Sequence, residues 1–165
     1  MKKSLLFLSL FVAVLVTLNS CKKAAPTAME FDKSKTANIT GYVYAQLELV
    51  DDYNNGTTWE KAPSGTKIFV TVANNQYVSG AQGYSVYETT VGADGRYSLD
   101  VPTDIDGVNI EVELVDFEYE QIQAKWDGVE GEYVADGTER KVYSVSSWLP
   151  NISVGNVKIH DFYYY

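Results

Sequence analysis

One cysteine and one histidine stand in 165 residues, and 13 basic side chains face 22 acidic ones. A single thiol excludes an intramolecular disulfide and any zinc site built from several cysteines. A single imidazole, His160, removes multi-histidine metal centres. Neither a Gly-x-Ser-x-Gly nor a His-Glu-x-x-His segment gives it a catalytic setting. The formal charge of −9 offers no basic face to a phosphate backbone and argues against nucleic acid as a partner. Also missing, from Asn38 onward, is any apolar stripe of helical period. Apolar content is not missing. Hydrophobic residues make up 45% of the chain, and 13 are tyrosines, which is the composition of a globular protein of one domain.

The N-terminus carries an address. Lys2 and Lys3 precede an unbroken apolar stretch from Leu5 to Val16, too short for a comfortable membrane span and suited to a secretory signal. It ends in Leu18-Asn19-Ser20-Cys21, which resembles a bacterial lipobox. That resemblance implies cleavage before Cys21 and diacylglycerol on its sulfur, so residues 1–20 read as a lipoprotein signal peptide. Loss of Lys2 and Lys3 leaves 11 basic against 22 acidic residues, a net −11. Acyl chains contribute roughly 0.8 kcal/mol per buried methylene, so two or three hold the protein on the membrane almost permanently. Residues 21–37 read as the lipidated cysteine and a flexible tether. Lys22 is not the aspartate that retains enteric lipoproteins in the inner membrane, which favours the outer membrane.

The remainder, 38–165, is written in period two and reads as one domain. Residues 38–49 alternate Ile39, Val43, Ala45, Leu47 and Leu49 with Tyr42, Tyr44, Gln46 and Glu48. Asp51 to Gly56 is turn chemistry. Further runs fall at 67–72, 84–91, 97–101, 108–114, 141–147 and 154–164, with a weaker one at 119–125. Asp94-Gly95 reads as the hairpin turn between the third and fourth runs. Residues 154–165 read as a last strand with Val157 and Ile159 inward. About seven strands, each with one apolar face, bury a core by packing sheet on sheet: an all-β antiparallel sandwich.

Ile39-Thr40-Gly41-Tyr42-Val43, Ala62 to Ile68, Thr89 to Leu99 and Val101-Pro102 together resemble a carboxypeptidase regulatory-like domain. The resemblance covers about residues 38–117. It implies a transthyretin-like, Ig-like sandwich and a non-catalytic module, and it transfers no catalytic residue. Small lipoproteins of this kind resemble cell-envelope proteins of the Bacteroidetes. Residues 125–138, rich in glycine and acid, depart from the family pattern and read as an insertion.

Candidate sites are few. Asp51, Asp52 and Asn54, and Asp104 and Asp106, are oxygen ligands of the kind calcium takes, yet they are also standard turn formers and fit no EF-hand spacing. His160 reads as a surface strand residue. No cofactor, metal or catalytic residue is expected, and the chain does not read as an enzyme. The aromatics exceed what one small core needs. Trp126, Tyr133, Tyr143 and Trp148 are the expected ligand-facing set, within a wider group that includes Tyr42, Tyr44 and the terminal Tyr163-Tyr164-Tyr165. The expected partners are the membrane, through Cys21, and an envelope protein or glycan. The alternative is a fimbrial or surface-assembly subunit that polymerises by strand addition through its last strand.

Overall fold

The structure, a computed structural model, describes residues 31–165. The signal segment, Cys21 and residues 22–30 of the tether lie outside the described residues, as do the side chains of residues 146–148 and 150. The folded body starts before Asn38. The Phe31 ring lies 4.4 Å from that of Tyr77, and the Lys35 carbonyl accepts the Thr103 N–H at 2.9 Å.

Among the described residues, nine strands, one short α-helix and a 3-10 turn at Asn74–Gln76 follow in order: β1 Thr36–Ala45, α1 Leu49–Asn55, β2 Glu60–Lys61, β3 Lys67–Ala73, β4 Tyr84–Thr90, β5 Arg96–Pro102, β6 Val108–Asp127, β7 Glu132–Ile152, β8 Val157–Ile159 and β9 Phe162–Tyr164. They form two sheets. In the first, β1 is the hub, pairing antiparallel with β5 and β2 and parallel with β8 and β9. The second runs β4-β3-β6-β7, antiparallel throughout. The fold is an all-β sandwich. Its core is the two inner faces: Ile39, Val43, Ala45, Val101, Phe162 and Tyr164 from the first, and Ile68, Val70, Val72, Ile110, Val112, Leu114 and Tyr143 from the second. Full burial of such a side chain contributes about 1.5–3 kcal/mol.

Four local expectations change. The strand expected to reach residue 49 ends at Ala45, because distant groups capture the backbone beyond it. Glu60 accepts the Leu47 N–H at 2.7 Å, Gln121 and Tyr143 both donate to the Gln46 carbonyl, and Leu47 accepts the Ile122 N–H. The chain then turns into α1, whose first turn holds Asp51 and Asp52, the favourable sign at a helix N-terminus. Asp94-Gly95 is a tight turn, with Gly95 at φ +77°, but it joins no hairpin. β4 pairs with β3 and β5 with β1, so the turn carries the chain from one sheet to the other.

The runs expected at 108–114 and 119–125 are one strand, and residues 125–138 form the tip of the hairpin β6–β7, with strands of 20 and 21 residues. An irregularity between Leu114 and Phe117 shifts the register, so even-numbered residues are buried up to Leu114 and odd-numbered Gln121 thereafter.

The last run belongs to the domain's own sheet but in opposite phase to expectation. Val157 and Ile159 are exposed, whereas Phe162 and Tyr164 are buried. The run breaks at His160-Asp161, where the Asp161 carboxylate accepts the Tyr42 N–H at 2.7 Å and Tyr97 donates its hydroxyl to the His160 carbonyl at 2.7 Å. That carbonyl lies where a side chain on Gly41 would have to go, so the close approach requires glycine there.

Candidate functional site: the outer face of the first sheet

Alternation along β1 sends Asn38, Thr40, Tyr42 and Tyr44 outward, opposite the core residues. Parallel pairing sets Tyr163 of β9 beside Tyr44, and antiparallel pairing sets Arg96, Ser98 and Asp100 of β5 beside Tyr42, Thr40 and Asn38. The result is a continuous row of rings. Tyr42 stacks on Tyr44 at 5.8 Å and Tyr44 on Tyr163 at 5.3 Å. Trp59, just ahead of β2, meets Tyr163 and Tyr165 edge-on at 5.0 Å each. The Arg96 guanidinium lies 5.4 Å from the Tyr42 ring centre and closes the other end. Such aromatic pairs contribute about 0.5–1.5 kcal/mol beyond area burial, which holds the row in one arrangement without covering it. Desolvation, then the Asp161 carboxylate, raise the Tyr44 hydroxyl above its ordinary pKa.

Beyond Arg96 the same face turns polar. Asn38, Thr40, Thr89, Thr90, Asp94, Arg96 and Ser98 line an open groove of about 530 Å³. Asn38 donates from its amide nitrogen to Ser98 Oγ at 2.9 Å and to Asp100 Oδ1 at 2.8 Å.

The expected ligand-facing set divides. Tyr143 is a correction: it is 1% exposed, stacks on Phe117 at 5.1 Å and spends its hydroxyl on the Gln46 carbonyl, so it is core. It points inward in phase with Val145 and Leu149 of β7. Trp126 and Tyr133 do come together at the hairpin tip, 5.3 Å apart, and Tyr53 of α1 stacks on Tyr133 at 4.9 Å. Asn54 clamps that strand, donating to the Tyr133 carbonyl and accepting its N–H, both at 2.8 Å. This cluster fastens the hairpin to α1, while Trp126 stays 57% exposed. The Trp148 backbone pairs with Glu111, and its side chain lies outside the described residues. Trp59 and Arg96 were missed. Trp59 sits in a polar segment without period, and only the tertiary pairing of β2 reveals it.

The acidic turns serve the backbone. Asp52 accepts from Thr58 N–H and from the Gln46 amide, Asp104 from the N–H groups of Asp106 and Gly107, and Asp94 from Arg96 N–H. Among the described residues, no group of three or more His, Cys, Asp or Glu side chains is placed to hold a metal. His160 is half-buried edge-on against Phe162; burial, aided by Lys158 and opposed by Asp161, lowers its pKa. No family model matches the chain, and no curated protein is found to match it.

Proposed function

We propose that the protein is a non-catalytic recognition module, tethered to the outer membrane through lipid on Cys21, whose first-sheet outer face binds a glycan or an envelope protein. The observation that carries the reading is the ring row from Tyr42 to Tyr165. These side chains are held rigid by one another and stand on the face opposite the core, where folding does not require them. Aromatic side chains with little rotamer freedom are efficient recognition groups. The Leu18–Cys21 motif supports the anchor, and the short turn-centred likeness to carboxypeptidase regulatory-like domains supports a module without catalysis. Burial of Phe162 and Tyr164 in the domain's own sheet weighs against the last strand as a donor to a neighbour.

A photoreactive benzoylphenylalanine in place of Tyr44, in cells of the native host, should give a light-dependent adduct. The same residue in place of Glu113 on the second sheet should give none. Equal behaviour at both positions sinks the reading. The anchor is read separately: clickable palmitate should label the wild type and not Cys21→Ser.

A further inference from the structure

We infer that the groove beside Tyr42 is a binding site for an uncharged saccharide, an inference that rests on the recognition face proposed above and names its ligand class. The Asn38 nitrogen faces the Asp100 carboxylate, which can only accept, and this fixes the amide orientation. Its second proton goes to Ser98 Oγ. The Thr40 hydroxyl donates to the Tyr97 carbonyl at 2.7 Å, and the Thr89 hydroxyl to the Ser98 carbonyl at 2.9 Å. With those protons used inside the protein, what Asn38, Thr40 and Thr89 present is acceptor oxygen. Ser98, Thr90 and Arg96, which line the same groove, carry donors, so a ligand that fits must both donate and accept hydrogen bonds, as sugar hydroxyls do.

Charge narrows the class further. Asp94 lines the groove and Asp100 adjoins it, in a chain of net charge −9, so a carboxylate or phosphate ligand meets repulsion. The one guanidinium lining the groove, Arg96, lies over the Tyr42 ring. Sugar hydroxyls match the acceptors without adding charge, and the apolar C–H surface of a sugar suits the neighbouring rings. The volume, about 530 Å³, lies within the usual range of small-molecule sites.

The test uses the full chain purified in a zwitterionic, sugar-free detergent and run through native gels containing dextran, mannan, a β-glucan or anionic polygalacturonate. At least one neutral polysaccharide should retard the wild type, and polygalacturonate should not. Ser98→Arg and Thr90→Arg place bulk and donors in the groove from solvent-exposed positions. Each should weaken retardation at least tenfold with the melting temperature unchanged. Use of two positions guards against one variant misfolding. Preference for polygalacturonate, wild-type binding by both folded variants, or no retardation by any neutral polysaccharide would overturn the groove. The crosslink at position 44 judges the recognition face independently of all three.

Discussion

The two sheets are alike on their inner faces and unlike on their outer ones. Outward positions of the first sheet are Asn38, Thr40, Tyr42 and Tyr44, flanked by Ser98, Arg96 and Tyr163. On the second, Lys67, Phe69 and Thr71 of β3 are flanked by Glu88, Glu111 and Glu113. Lys67 pairs with Glu88 at 2.7 Å, while Glu111, Glu113 and Asp116 share a shallow acidic cavity. Both inner faces are dictated by burial. The outer faces are free to differ, and the difference is chemical: linked rings and a polar groove against solvated carboxylates. Solvated charge keeps a surface soluble, whereas a rigid aromatic row needs a further reason to be where it is.

The largest effect should come from splitting adjacent residues of β9 between the faces. Tyr164 is fully buried and donates to the Val115 carbonyl at 3.0 Å, whereas Tyr163 belongs to the row. Tyr164→Ala should cost about 3–5 kcal/mol in urea unfolding, as large-to-small core changes do. Tyr163→Ala should cost about 1 kcal/mol and weaken recognition instead. Similar losses of stability would erase the distinction between faces.

Next in size is Gly41→Ala, which drives a methyl into the His160 backbone. It should cost about 1–3 kcal/mol and speed exchange of the His160 amide, which bonds the Thr40 carbonyl at 2.9 Å. Loss of that edge should also misplace Tyr163, so recognition should fall with it.

Asn54→Ala removes two exposed bonds to Tyr133 and should cost about 1 kcal/mol. Exchange should quicken at the Tyr133 amide while the row and its binding are preserved. A loss of binding would mean that the hairpin tip, with Trp126, belongs to the recognition surface after all.

A separate contrast is set by pH. Burial raises the phenols of Tyr77, Tyr97, Tyr143 and Tyr164 above their ordinary value of 10.0. The folded state therefore keeps protons that the unfolded chain releases. Stability from these groups is fully present below pH 10 and should fall as pH rises past it. The lowered pKa of His160 works the other way: unfolding takes up a proton first, so stability should decline as pH falls below 6.5. Urea midpoints across pH 5–11 would show both slopes. A midpoint flat above pH 10 would contradict the buried phenols.

Much of the fold was legible because the strands of the sandwich are half-buried. Ile39 and Val43, Ile68 to Val72, and Val108 to Leu114 announced their inner faces by alternation alone. What stayed hidden depends on partners far along the chain. Residues 46–48 are claimed by Glu60, Gln121, Ile122 and Tyr143, so the end of β1 and the start of α1 cannot be read locally. The irregularity after Leu114 inverts the phase of β6, which made one strand look like two. The break at His160-Asp161 did the same to the last run. Of the site, the excess of tyrosine was visible, but its location was not. Trp126 and Tyr133 meet across a single hairpin, whereas the row is assembled from β1, β9 and the residue before β2, with no common spacing.

Hydroxyl-radical footprinting read by mass spectrometry tests the central claim most directly, because it needs no prior identity for the ligand. The protein would be oxidised in native envelopes and again after purification in detergent. Tyr42, Tyr44, Trp59 and Tyr163 should be protected in the envelope relative to the purified protein, while Tyr84, 70% exposed on the second sheet, should oxidise equally in both. Equal oxidation of the first-sheet rings in both states, or protection confined to Tyr84, would contradict the account.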